Sequence, residues 1–467
     1  MKKVFYTVFA AIFLMAALCI CASAEVRSED FNVGRLTDET RSTYTKGQGE
    51  ITLQSAEGIA HLYIEFDRLP GEWTILASGK EYPVKDGFLH QYVDISALCG
   101  KQTELTLKFI EETSIADLYY FGVGDLPAFV QTWDAPCQKA DMMLISSHSD
   151  DEQLFFAGLL PYYAIERDLR VQVVYIVQHF EANGVEDHTR PHEQLDGLWA
   201  VGVRNYPVMS DFPDVYSESK DRDTAFKMAE KAFGAAGVTY DDFKGYITAC
   251  LRRFKPLVVV SHDPNGEYGH GTHVFCSSAL QEAVKLAVDE TQYPESAEKY
   301  GTWRPEKTYL HLYEENSIVM DWDTPYESMG GKTPFEMTQE GFDYHKSQHW
   351  TWFKRWIYGN SGEITKASQI KTYSPCQYGL YDTLVGTDEV GGDLMENVAT
   401  YAQREAAYKA DEEARQKQEA EKAAAEAARL QKEARQRTLL WVSVGTGALL
   451  IALLATALLL RKKKRGK

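Results

Sequence analysis

A parallel-sheet α/β domain, preceded by an all-β domain and followed by a long helical tail, is the architecture this sequence predicts. Three patterns carry it. Residues 25–138 hold short runs of alternating apolar residues separated by turn residues. Residues 139–380 alternate continuous apolar runs with helical stretches. Residues 397–437 are rich in Ala, Glu, Lys, Arg and Gln, and an uncharged apolar run follows at 438–460. A chain of 467 residues, 44% hydrophobic and 25% charged, has the length for about three such pieces and an ordinary globular composition.

The first 24 residues are expected to be a targeting segment. Lys2 and Lys3 precede an apolar run, and Ala22-Ser23-Ala24 offers small residues for cleavage after Ala24. In the all-β piece, Ile51-Thr-Leu-Gln, His61-Leu-Tyr-Ile-Glu-Phe, Trp73-Thr-Ile-Leu, Leu105-Thr-Leu-Lys-Phe-Ile and Leu118-Tyr-Tyr-Phe-Gly-Val read as strands of a β-sandwich over 25–138.

In 139–380 the strands are Met142-Met-Leu-Ile-Ser, Val171-Gln-Val-Val-Tyr-Ile-Val, Leu257-Val-Val-Val-Ser and Thr308-Tyr-Leu-His-Leu-Tyr. Helices are expected over 153–166, 190–202, 246–254 and 273–287. Apolar strands alternating with helices imply a Rossmann-like parallel sheet covered on both faces. Ligands of such sheets bind beyond the carboxyl ends of the strands.

The tail completes the layout. Within the stalk expected over 381–437, residues 397–437 have helix-forming composition but too few large apolar residues for a heptad seam, so they read as a solvated helix of about 60 Å. The 23 uncharged residues 438–460 are long enough to cross a membrane, and Arg461-Lys-Lys-Lys-Arg465 follows at once. Basic residues stay cytoplasmic, which predicts a cytoplasmic tail over 461–467 and everything before residue 438 outside. The expected location is the cell membrane, with a single pass.

The chain carries 49 basic and 68 acidic residues, net −19. Setting aside Lys2, Lys3 and the six basic residues after Leu460 leaves 41 against 68, net −27. This surface repels nucleic acid and anionic headgroups, and it suits a neutral or cationic substrate or serves solubility alone. Of seven cysteines, Cys99, Cys137, Cys250, Cys276 and Cys376 follow the first segment, none in a CxxC pair. One or two disulfides are possible among them, with at least one cysteine left over.

Two segments carry the chemistry. Ser147-His148-Ser149-Asp150-Asp151-Glu152 follows the first α/β strand. A catalytic zinc takes three N/O ligands and keeps an open position. His148 and Asp151 supply two ligands from one turn, and Asp150 stands beside them, where a general base for water belongs. Ser261-His-Asp-Pro-Asn-Gly-Glu-Tyr-Gly-His-Gly-Thr-His273 follows the third strand. His270 and His273 are three apart and share a helix face. One can complete the metal site while the other points at a reacting carbonyl. Gly266, Gly269 and Gly271 permit the tight backbone this needs.

These segments resemble the two signatures of the LmbE-like, PIG-L family of zinc-dependent de-N-acetylases, HPDDE and HDP…GxYGHxDH. Arg190-Pro-His-Glu193…Ala200-Val-Gly-Val203 is similar to that family's R-x-x-E…A…LGV helix, and His345-Lys-Ser-Gln348 to its late H-x-S/T-Q element. The likeness spans about residues 140–348. It implies one Zn2+ on His148, Asp151 and His273, with Asp150 as general base. His270 is then expected to protonate the leaving amine or stabilise the oxyanion, and Tyr268 to polarise the acetyl carbonyl. Arg190 would contact substrate, and Asp214 would orient a sugar hydroxyl or a histidine. Ser149 stands where the family has Pro, and Gly271-Thr272 where it has Pro-Asp. The expected reaction removes acetyl groups from N-acetylglucosamine-type sugars in a glycan, with the β-domain as a spacer or a glycan-holding module. The competing expectations are hydrolysis of another amide, a phosphoesterase, and a surface glycan-binding protein with a degenerate hydrolase fold.

Overall fold

The computed structural model describes residues 24–464 except 178, 179, 183, 184 and 218. The expected targeting segment therefore lies, up to Ser23, outside the described residues. Residues up to Val398 form one compact unit, and the helical tail from Ala399 onward forms a second.

The N-terminal part is a single antiparallel network of seven strands: β1 (Ala24–Arg27), β2 (Thr45–Ile59), β3 (His61–Phe66), β4 (Trp73–Ala77), β5 (Lys80–Val84), β6 (His90–Asp94) and β7 (Gln102–Phe121). The 20-residue β7 is its spine, pairing with β2, β3 and β4. Period-two alternation buries Ile51 and Leu53 of β2, Trp73 and Ile75 of β4, and Leu105, Leu107 and Phe109 of β7. The register sets Leu107 between Ile51 and Ile75, and the Trp73 ring stacks on Phe109 at 5.5 Å.

One pair in this sheet works against burial. Glu65 of β3 faces Asp117 of β7 directly across the ladder, and both are buried. Arg41 holds Glu65. Burial, followed by the charges of Glu65 and Asp38, pushes the Asp117 carboxyl up to about 7. A carboxyl raised in the folded state favours folding only while protonated. Its contribution is complete below about pH 4 and is lost as pH rises through about 7. Asp117→Asn is therefore expected to raise the thermal midpoint by roughly 2–4 °C at pH 8.5 and hardly at all at pH 4. Thermal scans at the two pH values check this.

The α/β part comprises β8 (Met142–Ser146), β9 (Val171–Tyr175), a small hairpin of β10 (Glu181–Ala182) and β11 (Val185–Glu186), helix α1 (Arg190–Ala200), β12 (Val208–Met209), α2 (Arg222–Ala235) and α3 (Tyr240–Phe254). It continues with β13 (Val258–Ser261), α4 (Gly271–Leu286), β14 (Lys307–His311), β15 (Ser317–Val319), α5 (Pro334–Phe342), α6 (Trp352–Tyr358) and β16 (Gln377–Thr383). Strand order is β12-β9-β8-β13-β14-β16-β15. The strands from β12 to β14 are parallel, and every residue of β8, β9, β13 and β14 is buried. Expected as wholly parallel, the sheet is mixed, because β16 returns antiparallel between β14 and β15. Beneath it, Met143, Ile145 and Val259 share a core with Ile247 and Leu251 of α3 and Phe275 and Leu280 of α4.

Winding reverses between β8 and β13. One branch runs outward through β9 and β12, the other through β14. Val258, Val259 and Val260 pair with Met142, Met143 and Leu144, so the two carboxyl ends lie side by side. That is the topological switch point at which open α/β sheets leave a crevice.

Two expectations need correction. The helix expected over 153–166 is broken. Gly158 sits at φ 85°, and a Cβ there would come within 2.3 Å of the Trp322 ring, so the chain turns before a short π-helix at Tyr162–Glu166. The helical tail, expected from 381, begins at Tyr401 as α7 (Tyr401–Lys464). Before it, Asp388 pairs with buried Lys307 and accepts the Tyr309 hydroxyl (2.7 Å), and Asp393 accepts from Tyr163 and Arg167. These bonds keep 384–393 on the sheet domain. The five described cysteines are all free. Helix α7 is continuous over 64 residues and is long and apolar enough to cross a membrane.

Candidate active site

The β8 carboxyl end leads into the segment carrying His148, Asp150 and Asp151. The His148 amide donates to Asp151 Oδ2 (2.8 Å) and the Asp150 amide to Glu152 Oε2 (2.9 Å). Together they hold Asp150 at φ 152°, a conformation uncommon outside glycine. After β13 the chain makes a second tight loop. Gly266 and Gly269 have φ 71° and 81°, and a Cβ would come within 2.6 Å of His270 O and 2.3 Å of Ser219 O. Between them Tyr268 is left-handed at φ 47°. His270 caps α4 and His273 lies one turn in, their rings 4.5 Å apart.

Three donor atoms converge. His148 Nδ1 lies 3.0 Å from Asp151 Oδ2, His273 Nε2 lies 3.3 Å from the same oxygen, and the two nitrogens are 3.2 Å apart. The opposite ring nitrogens are committed elsewhere. His148 Nε2 bonds Asp214 Oδ1 (2.9 Å), and His273 Nδ1 bonds Glu267 Oε2 (2.8 Å). Each carboxylate fixes a proton on the far side of its ring, so that loss of the inner proton turns a lone pair inward. Burial works against charging these rings, yet the carboxylates around them raise His148 to about 10 and His273 to about 9. Asp151, despite burial, is held well below its ordinary range by His273 and His148. Two protons thus crowd one carboxylate, the charge pattern that a single divalent cation replaces.

Two groupings could hold a metal: His148 with His270 and His273, and Asp151 with His262 and His273. His262 is otherwise engaged. Its Nε2 accepts the Ser147 amide (2.9 Å) and its Nδ1 donates to Glu267 (2.9 Å). Its role in this geometry is to brace the two loops.

The remaining expected site residues surround this centre. Asp150 is buried, with Oδ1 3.5 Å from Arg190 and Oδ2 unpartnered. Burial pushes it up to about 6 against the pull of Arg190. Arg190, expected to face substrate, is seated on this carboxylate. His270 Nε2 stands 3.4 Å from Asp214, and its Nδ1 is buried without a partner. Burial, reinforced by His273 and His148, drives its pKa well below 6.5. Tyr268 packs 5.5 Å from both His270 and His273. His345 of the late element places Nε2 3.3 Å from Glu152, an approach that leaves no room for a side chain on Gly197. Where the family has Pro-Asp, Gly271 N donates to Val215 O and Thr272 Oγ1 accepts the Val215 amide. This pair ties the segment bearing Asp214 to α4.

Sequence reasoning missed Glu267. Fully buried, it accepts from His262, His273, His311 and the Asp263 amide. Its position inside the second segment was the available signal, as was His311 at the carboxyl end of β14. Also missed was an aromatic rim. Trp352 of α6 lies 5.8 Å from Tyr268 and is 39% exposed, and Trp350 is 85% exposed.

Residues 143–284 match the family described as PIG-L, GlcNAc-PI de-N-acetylase. The α/β part contains this PIG-L match. Among curated relatives, two proteins named 1D-myo-inositol 2-acetamido-2-deoxy-alpha-D-glucopyranoside deacetylase are each 26% identical to this chain. The one from Rhodococcus jostii aligns over 38% of this chain and 63% of its own length, and the one from Geodermatophilus obscurus over 42% and 68%. The chain thus spans about two thirds of these relatives. Among solved structures, N,N'-diacetylchitobiose deacetylase from Pyrococcus horikoshii is 14% identical, covers 52% of this chain and 84% of its own, and has a TM-score of 0.36. The PIG-L match runs from β8 to α4, the stretch that contains every donor of the convergent trio.

Proposed function

We propose that this chain is a zinc-dependent hydrolase that removes the acetyl group from N-acetylglucosamine-type residues of a glycan, releasing acetate and a free amine. The observation that carries this reading is the convergence of His148 Nδ1, Asp151 Oδ2 and His273 Nε2, each within 3.3 Å of the others, with buried Asp150 next in the chain and its Oδ2 without a partner. Two nitrogens and one carboxylate oxygen fit the donor set of catalytic zinc. Bound there, zinc would act as a Lewis acid on the acetyl carbonyl and lower the pKa of the attacking water.

The chain's own residues do the rest. Asp150, near 6, is ionised at neutral pH yet basic enough to take the water's proton. Oxygen adds to the acetyl carbon, and negative charge gathers on the former carbonyl oxygen. Neutral His270 and the Tyr268 hydroxyl are the donors for that oxygen. With so depressed a pKa, His270 is a poor source of a proton for the amine. Asp150 therefore passes the proton it took to the departing nitrogen, and the C–N bond breaks. Arg190 holds Asp150 in place and tempers the rise in its pKa. Asp214 keeps the proton on His148 Nε2 and steadies His270.

The aromatic rim supports a sugar substrate, since ring faces suit the apolar faces of a pyranose. Trp352→Ala is expected to raise KM about tenfold, equivalent to about 1.4 kcal/mol, and to leave kcat within about twofold. Steady-state kinetics on an N-acetylglucosamine oligomer checks this. In the same proposal, 438–460 crosses the cell membrane with the catalytic unit outside and the basic end inside. The test of the whole reading is to load the full chain with zinc, add N-acetylglucosamine oligomers, and measure acetate and free amine. Equal amounts of both are expected. Neither product from protein holding one zinc per chain would sink it.

A further inference from the structure

A second cleft, of about 450 Å3, opens between the seven-stranded β network and α1. Its walls include Glu65 and Asp117 from the β side, Glu193 and Asp196 from α1, and the rings of Tyr119, Phe129 and Tyr344. Helix α1 also carries Arg190, one turn before Glu193, so the cleft adjoins the candidate catalytic centre.

The cleft holds two buried polar atoms that lack a partner. Asp117 is fully buried. Its Oδ1 takes the Glu39 amide (2.9 Å), while its Oδ2 has no partner. His192 is 3% exposed, and its Nε2 has no partner. That this nitrogen is a bare lone pair follows from a chain of bonds. Gln131 Nε2 donates to Asp196 (2.6 Å), so Gln131 Oε1 must accept from His90 Nδ1 (2.8 Å). Burial and Arg41 keep His90 neutral, so its Nε2 accepts from His192 Nδ1 (2.7 Å). His192, held neutral by burial and by its neighbour His90, is left with an acceptor at Nε2. Leaving such atoms unpaired is costly, and native chains keep few of them.

Charge points to the ligand. Carboxylates outnumber cations along the cleft, and Arg41 is already neutralised by Glu65 and Asp196. Among the described residues, the groupings close enough to hold a metal ion involve only His148, Asp151, His262, His270 and His273, outside this cleft. A bare acceptor on His192, an unpartnered carboxyl oxygen on Asp117, surplus carboxylates and aromatic faces fit an organic cation that also carries hydroxyls. We propose that this cleft binds a sugar residue bearing a free ammonium group, so that the substrate is an oligosaccharide in which a deacetylated residue is held beside the one presented for hydrolysis. The proposal builds on the deacetylase reading, whose product has this chemistry.

The test uses the full chain in detergent, carrying Asp150→Asn so that no ligand is turned over. Calorimetry compares the free-amine glucosamine disaccharide with cellobiose, which has the same ring shape and no nitrogen. The free-amine sugar is expected to bind at least tenfold tighter. Adding Asp117→Asn is expected to remove that preference, and Phe129→Ser, at a 46% exposed position, to weaken binding at least fivefold. An amine preference that survives both substitutions would overturn the proposal, as would equal binding of the two sugars. Acetate release by the otherwise unchanged protein is a separate measurement. Its failure alongside intact amine binding would overturn the deacetylase reading and leave the cleft assignment standing.

Discussion

Asp150→Asn is expected to lower kcat by a factor of about 10²–10⁴, the usual contribution of a positioned general base, while the protein still binds one zinc per chain. Asparagine keeps the side chain's shape and the oxygen that faces Arg190, but it cannot take a proton. Asp151 turns in to His148 and His273, whereas Asp150, at φ 152°, turns toward Arg190. Two adjacent carboxylates are thereby given opposite environments. Two histidines hold Asp151 well below its ordinary range, and burial lifts Asp150 to about 6. Residues whose surroundings drive their pKa values apart are the ones suited to different tasks. Metal analysis and acetate release on the same preparation decide the matter. Lost turnover with zinc retained assigns the base to Asp150. Turnover within tenfold of the parent would move that role to another group, and lost zinc would make Asp150 part of the metal site.

Much of this arrangement was legible in the sequence because it is local. Apolar runs such as Met142-Met-Leu-Ile-Ser and Leu257-Val-Val-Val-Ser are buried on both faces, and polar residues directly after such a run stand at a strand's carboxyl end. His148, Asp151 and His273 could be grouped because strand order in α/β sheets brings such ends together. What stayed hidden depends on contacts distant in the chain. Gly158 breaks the expected helix because Trp322 packs against it. β16 turns the sheet mixed because its partners lie some seventy residues earlier in β14 and sixty in β15. The true start of α7 depends on Asp388 reaching Lys307. His192 looked like one polar residue in a helix. Its bare nitrogen emerges only when His90 and Gln131, from the other side of an interface, fix its proton.

Glu267→Gln is expected to weaken zinc binding 10–100-fold, the range seen when the partner of a ligating histidine is changed, and to destabilise the fold by about 3 kcal/mol. Both oxygens of Glu267 are in use. One accepts from His262 and His273, the other from His311 and the Asp263 amide. A glutamine can present only one oxygen, so its amide group must meet N–H donors on the other side. His273 can relieve that clash by moving its proton to Nε2, the nitrogen that lies 3.2 Å from His148 Nδ1 and 3.3 Å from Asp151. The lone pair needed for zinc is then capped by hydrogen, and affinity falls although no ligand has been removed. The effect on stability arises separately, because a buried cluster of three histidines loses the carboxylate that bonds all three. Zinc titration and thermal denaturation of the zinc-free protein separate the two effects. A glutamine variant that binds zinc as tightly as the parent would show that Glu267 braces the fold and leaves the tautomer of His273 unaffected. A variant that is weak in zinc but as stable as the parent when metal-free would show the reverse. Loss of both is the result that the four bonds to this one carboxylate require.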